Sequence, residues 1–277
     1  MHVVILFRMP IKFQDTEEKT TGKNLYSYQK GAIDKIFERF ENSPNDYHLL
    51  YQLPTGGGKT VIFSEIVRQY LKHHKSRVLV LTHRIELCKQ TSNMLTEFGV
   101  VNKVINSKAK LDDQNDYSCF VAMVETLNNR LTDNVLDISD IGLVIIDEAH
   151  YNSFTKLFKF FHKSFILGVT ATPLSSNIEL PMTDNYDELI VGESIESLID
   201  NGFLARAEMF TYNVGLTSLV VGANGDYTVK SSEDLYTDND MLSKLLQAYE
   251  ERAKGKKTLI FNNGINTSLH VYDTFRR

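Results

Sequence analysis

A doubly wound α/β domain on a mainly parallel sheet is the fold this sequence predicts, and three observations predict it. From Leu49 onward, runs of Val, Ile and Leu about five or six residues long recur, as in strands buried on both faces. Between those runs, apolar residues return at helical spacing, so strand alternates with helix. At the first strand-to-helix junction stands LPTGGGKT (53–60), whose three glycines weaken any regular element and imply that something requires bare backbone there.

Taken in chain order, MHVVILFRMP has a short apolar run with no basic segment before it. It is too short to span a bilayer and a poor signal peptide, so residues 1–21 read as a strand or a flexible lead-in. An amphipathic helix follows, with Ile33, Ile36, Phe37 and Phe40 on one face and ENSPND (41–46) as its terminating turn. Strands are expected at HLLYQ (48–52), RVLVLT (77–82), VVNKVI (100–105), CFVAMV (119–124), LVIID (143–147) and FILGVT (165–170). Ile62, Phe63, Ile66, Val67, Tyr70 and Leu71 mark one intervening helix, and Ile85, Cys88, Met94 and Leu95 a second. Right-handed crossovers would join them.

The pattern changes near residue 205. Residues 206–240 are polar and turn-rich, with GANGD at 222–226, and read as part of a connecting segment over 206–256. MLSKLLQAYEERAKG (241–255) reads as a helix ending at a glycine, KTLIFNN (257–263) as a buried strand and TSLHVYDTF (267–275) as a helix. A second α/β unit is therefore expected to open at 257–277, after a first domain over 22–205.

Of the 277 residues, 42 % are hydrophobic and 23 % charged, an ordinary globular composition for one or two domains. The formal net charge of −5 means that nucleic acid, if bound, must be met by a local patch or groove. Cys88 and Cys119 stand alone in apolar context, which argues against a zinc site and for buried thiols in a reducing, cytoplasmic compartment. No membrane association is expected.

The glycine loop follows a strand and opens a helix, where free backbone amides and the positive helix end suit a phosphate chain. Pro54, Thr55, Gly56, Gly57 and Gly58 would surround it, Lys59 would reach the β- and γ-phosphates, and Thr60 would ligate Mg²⁺. The strict GxxxxGK[ST] pattern has glycine where this chain has Leu53. The strand LVII runs into Asp147-Glu148-Ala149-His150, and a carboxylate pair at the end of a buried strand needs a cation. Asp147 would hold Mg²⁺ through water, and Glu148 would position and deprotonate the attacking water. FILGVTATP (165–173) ends its strand in Thr170-Ala171-Thr172, small hydroxyl residues that can bridge the carboxylates to a moving neighbour.

LPTGGGKT, LVLTHRIEL (79–87), IIDEAH (145–150) and GVTATP (168–173) stand in the order and spacing of motifs I, Ia, II and III. The chain thereby resembles superfamily 2 helicases and translocases with a DEAH box, over roughly residues 22–205. Within that superfamily it looks most like bacterial RadD-type and XPB-like DNA-repair helicases, with restriction-enzyme translocase subunits close behind. The resemblance implies a RecA-like domain that uses ATP and Mg²⁺ to move along nucleic acid, DNA favoured over RNA. In LYSYQ (25–29) it assigns Gln29 to the adenine edge, although Tyr26 and Ser27 replace the arginine and proline common in the family. Thr82, His83 and Arg84 match the segment that touches the nucleic-acid backbone, and His150, Thr170 and Thr172 the coupling elements. MVETL (123–127) resembles a strand-contacting segment in which Glu125 replaces the usual glutamine, and LIFNN (259–263) resembles motif IV. Motifs V and VI, which carry the arginine finger, are not in these 277 residues, so the resemblance implies an N-terminal fragment.

The basic residues carry plainer readings as well. Lys72, His73, His74, Lys75 and Arg77 cluster at a helix end, where cations suit the dipole. Lys103, Lys108 and Lys110 could face a phosphate backbone or solvent alone. KLFKFFHKSF (156–165) is explained by a helix packing phenylalanine on the sheet. Two rival functions remain open at this point: a nucleotide-switched remodelling protein that does not translocate, and a metabolic kinase with a similar loop.

Overall fold

The computed structural model of the chain describes residues 3–5, 24–106, 114–133, 140–177, 179–212, 214–223 and 225–276. Most of the expected lead-in over 1–21 lies outside that set, as do Lys108 and Lys110. The chain divides into two compact units, Phe13–Leu204 and Met1–Lys12 with Ala205–Arg277.

In chain order the elements are β1 (Val3–Ile5), α1 (Ser27–Asn42), β2 (His48–Gln52), α2 (Lys59–His73), β3 (Arg77–Thr82), α3 (Ile85–Glu97), β4 (Asn102–Ile105) and β5 (Cys119–Met123). Then come α4 (Val124–Thr132), β6 (Ile141–Asp147), α5 (Thr155–Phe158), β7 (Phe165–Thr170), β8 (Glu188–Val191), α6 (Ile195–Asp200) and β9 (Glu208–Phe210). Helices α7 (Val229–Tyr236), α8 (Asn239–Arg252) and α9 (Ile265–Arg276) complete the described elements.

The larger unit is a RecA-like α/β fold. Its seven strands lie in the order β4-β5-β3-β6-β7-β2-β8, and every pairing is parallel. Strands β3 and β7 are buried at every position because helices cover both faces. Alternate residues feed two cores. Leu49, Tyr51, Val78, Val80, Leu143, Ile145, Leu167 and Val169 meet α1, α2 and α3 on one face. Leu79, Leu81, Val144, Ile146 and Ile166 meet α4, α5 and the buried Phe154 and Phe161 on the other. Each fully buried side chain of this size contributes roughly 1.5–3 kcal/mol, so the cores hold the strand ends in fixed register.

The differences from the sequence reading have local causes. Strand β4 begins at Asn102 rather than at residue 100, since Val101 is 68 % exposed. CFVAMV gives up Val124 to α4, which the apolar run conceals. KLFKFFHKSF forms one helical turn rather than a helix, with Leu157, Phe161 and Phe165 buried against the sheet. The basic cluster resolves locally. His74 stacks on Tyr70 at 4.4 Å between ring centroids, and the buried Arg77 guanidinium donates through Nε to Asp140 Oδ1 at 2.6 Å.

In the second unit, β1 pairs antiparallel with β9, and α8 and α9 bury Leu242, Leu245 and Val271 together. The strand expected at KTLIFNN (257–263) does not form. Leu259 and Phe261 are 70 % and 82 % exposed, and no strand among the described residues lies beside them to complete a ladder. The expected helices over 241–255 and 267–275 are present as α8 and α9.

Gly168 in the middle of β7 offers a test of this packing. A Cβ there would stand 2.5 Å from the Tyr186 hydroxyl and 2.6 Å from its ring. Gly168→Ala is expected to destabilise the domain by about 1–3 kcal/mol through overpacking. Urea denaturation checks this, and a Tyr186→Ala background should remove most of the penalty.

Candidate active site

Parallel strands end in one direction, so the residues following β2, β3, β6 and β7 gather along a single sheet edge. After β2 the chain enters the glycine loop, tied at its start by Leu53 N–H donating to Thr170 O at 2.9 Å. Gly56 and Gly58 have φ of +86° and +85°, in the left-handed region that glycine alone enters freely. A Cβ on Gly58 would also lie 2.6 Å from Gln29 Nε2, and one on Gly57 2.8 Å from Leu53 Cγ. The Tyr28 hydroxyl donates to Gly57 O at 2.8 Å, so α1 braces the loop. Pro54 and Gly57 are buried while Thr55 and Gly56 are exposed. The loop caps the N-terminus of α2, a geometry that suits an anion surrounded by amides.

Lys59, the first residue of α2, is buried, and its Nζ donates to Leu53 O at 3.3 Å. Thr60 beside it is half-buried. Asp147 ends β6 only 8 % exposed, its Oδ1 accepting Glu148 N–H at 3.0 Å. Burial first, and then the Glu148 charge, push the Asp147 carboxyl up to about 6, with Lys59 pulling the other way. Glu148 has φ of +52°, the one positive value on a non-glycine residue among the described residues. That conformation costs roughly 1–2 kcal/mol and persists only where its surroundings impose it. It sets a half-exposed carboxylate beyond the end of β6.

His150 joins this carboxylate to β7. Its Nδ1 lies 3.0 Å from Thr170 Oγ1 and 3.4 Å from Glu148 Oε2. The Thr170 hydroxyl donates to Thr172 O at 3.0 Å, which leaves His150 Nδ1 as the donor toward Thr170. Thr172 N–H returns a bond to the same hydroxyl at 3.2 Å, and Gln52 Nε2 donates to Ala171 O at 3.3 Å.

The oxygen donors here, Asp147 and Thr60, suit a hard divalent cation that keeps several waters and arrives with phosphates. Among the described residues no group of three or more His, Cys, Asp or Glu could hold a metal by itself. The buried Asp147 carboxylate, pushed upward by burial and a like charge, is the group such a cation would compensate.

The remaining expected residues are placed unevenly. Gln29 is buried, and its Oε1 accepts Tyr26 N–H at 3.0 Å. Tyr26 and Tyr28 pack on Phe203, with centroids 4.6 and 4.9 Å away, an aromatic cluster beside the loop that the sequence reading lacked. Thr82 is fully buried, its hydroxyl donating to Arg84 O at 3.1 Å, so Arg84 is the exposed member of that segment. His83 is half-buried, and its ring faces Tyr151. Glu125, noted for replacing a glutamine, is paired with Lys156 at 2.6 Å. Lys103 lies over the Tyr117 ring at 5.3 Å.

Comparison with known proteins matches residues 22–175, more than half of the chain, to the family described as type III restriction enzyme, res subunit. The chain belongs to this restriction-enzyme family. The res-subunit match takes in the glycine loop, the Asp147–His150 turn and Thr170 to Thr172, and it stops short of Phe203. The chain is also similar to the putative ATP-dependent helicase IRC3 of Saccharomyces cerevisiae, 28 % identical over 90 % of this chain and 41 % of the relative. To the ATP-dependent DNA helicase mph1 of Aspergillus oryzae it is 26 % identical over 73 % of this chain and 18 % of that protein. Among solved structures, the Hef helicase domain of Pyrococcus furiosus shares the fold at a TM-score of 0.51 and 16 % identity, covering 90 % of this chain and 52 % of that one. This res-family chain therefore spans less than half the length of these curated relatives.

The raised Asp147 pKa gives a signed pH dependence. The folded state keeps this proton to a higher pH than the unfolded chain, so the contribution of Asp147 to stability falls as pH rises from about 4 to 6. In magnesium-free buffer, Asp147→Asn should therefore gain on the order of 2–3 kcal/mol over wild type between pH 4 and pH 6.5. Urea denaturation of both proteins across that range checks it, and a pH-independent difference contradicts it.

Proposed function

We propose that the chain carries the ATP-hydrolysing domain of a nucleic-acid helicase or translocase. One observation carries the reading: a strained Glu148 beside the buried Asp147, on the same sheet edge as the glycine loop that opens α2. Similarity to two ATP-dependent helicases supports it. The motif pattern supports a DEAH-box protein of the RadD-type or XPB-like kind serving DNA repair in the cytoplasm. DNA is the favoured track, since one relative is named a DNA helicase.

In this reading the loop of residues 54–58 encloses the phosphates of ATP, with amides available only from Thr55 onward, and Lys59 neutralises their charge. Thr60 and Asp147 would hold Mg²⁺, which supplies charge compensation on the phosphate oxygens when bound. Glu148 orients the attacking water and accepts its proton, a role its half-exposed carboxylate suits. Gln29 Nε2, whose partner oxygen is occupied by Tyr26, faces the nucleobase beside the Tyr26–Phe203 cluster. Arg84, exposed after β3, contacts the nucleic-acid backbone, with Thr82 shaping the turn beneath it.

A second reading, a restriction-type DNA translocase that moves along duplex without unwinding it, is favoured by the family match. A metabolic kinase fits poorly, because it has no use for the His150–Thr170 link between the carboxylates and β7. Strand displacement on forked DNA separates the helicase from the translocase.

The test is ATP hydrolysis by the whole protein with single-stranded DNA, duplex DNA, forked DNA and RNA side by side. Stimulation by at least one is expected, and none with any track refutes the motor reading. Glu148→Gln should bind ATP as wild type does yet turn over at least roughly 10²-fold more slowly, the usual contribution of a general base. Calorimetric titration and steady-state kinetics measure the two quantities, and unchanged turnover moves the base elsewhere.

A further inference from the structure

We propose that Tyr151 is a positioning residue whose ring carries the engagement of nucleic acid at His83 and Arg84 to His150 and Glu148. The inference rests on the motor reading above. Three rings stand in file: His83 and Tyr151 with centroids 4.2 Å apart, then Tyr151 and His150 at 4.3 Å. One end of the file follows β3. The other reaches both Glu148 Oε2, 3.4 Å from His150 Nδ1, and Thr170 Oγ1 at 3.0 Å. Since β3, β6 and β7 are adjacent, the file ties three neighbouring strand ends through side chains. The Tyr151 amide also donates to Glu148 O at 3.2 Å, closing the turn around the strained residue.

His83 explains why this is more than filling. Its Nδ1 is shielded from water with no hydrogen-bond partner among the described residues, and its ring lies against Tyr151. A buried polar atom left unpaired requires an account, and a contact meant to shift supplies one. Burial first, and then the neighbouring Arg84, lower the His83 pKa, with Glu148 pulling the other way. Arg84, next in the chain, is exposed to whatever binds the sheet edge. At the far end, Glu148 sits in a strained backbone conformation with φ of +52°, and that strain is what the coupling would bias.

The experiment compares Tyr151→Leu, Tyr151→Phe, His83→Leu and the Tyr151→Leu/His83→Leu double variant with wild type in the whole protein. ATPase kinetics are measured with and without the nucleic acid that stimulates wild type best. Tyr151→Leu should lower the stimulated kcat roughly tenfold while KM for ATP stays within about twofold. Tyr151→Phe keeps the ring and should restore the rate. The double variant should lose no more than the worse single one, because both cut one path. Stimulation of Tyr151→Leu equal to wild type, failure of phenylalanine to rescue, or additive losses overturns the proposal. If thermal melting shows that Tyr151→Leu is unfolded, His83→Leu carries the same expectation from the other end. A wild type that no nucleic acid stimulates refutes the motor reading instead, and this inference with it.

Discussion

The placing of Lys59 and Asp147 on one carboxyl edge of the sheet is the constraint on which the rest of the site depends. Each is buried: Asp147 closes β6, whose other residues are apolar, and Lys59 opens α2. An isolated buried charge is costly, and here the attraction between the two is opposed by burial and by Glu148. The arrangement is therefore electrostatically incomplete by itself. It tolerates this because the two cores, one on each sheet face, fix the strand ends whatever happens at the edge. A site left short of positive charge in this way is one that a divalent cation would complete, and the apolar sheet supplies the stability that the site does not.

The same division explains where strain is found. The positive φ values of Gly56 and Gly58 cost little, because glycine has no Cβ to clash, and Leu204 and Gln29 respectively occupy the space that side chains would need. Glu148 has no such excuse. Its backbone is held by what surrounds it: Asp147 Oδ1 takes its amide, Tyr151 donates to its carbonyl, and Ala149 N–H donates to Val169 O at 3.0 Å. Strand β7 thus fixes the residue after Glu148 while β6 fixes the residue before it.

Much of this was legible in the sequence, and the reasons differ by element. Strands β2, β3, β5, β6 and β7 could be read because burial on both faces makes them continuous apolar runs. Strand β8 could not: as an edge strand paired only with β2 it alternates half-buried with exposed residues, and ELIV carries no such signal. The same reliance on apolar runs misled at KTLIFNN, where hydrophobicity is present and a neighbouring strand is not. The glycine loop and Asp147–His150 were legible because their chemistry is local in sequence. Phe203 and Tyr151 were not, since one aromatic residue has no pattern of its own and acquires meaning only when tertiary packing brings Tyr26 or His83 against it. Thr82 shows the converse. Its place in a recognisable segment suggested a surface role, while the fold turns its hydroxyl inward to Arg84 O.

Thr170 is where these threads join. Its carbonyl accepts Leu53 N–H at the start of the glycine loop, and its hydroxyl meets His150 while bonding both the carbonyl and the amide of Thr172. The loop that would hold the phosphates and the histidine beside Glu148 are thus anchored on the same residue, from its main chain and its side chain respectively. Gln52, the last residue of β2, adds a third tie by donating to Ala171 O. Thr170 itself is fully buried, so the loop and histidine ties converge on a residue packed into the sheet. Strand β7 therefore does more than separate β6 from β2: its last residue ties the glycine loop and the His150 side chain beside Glu148 to one point.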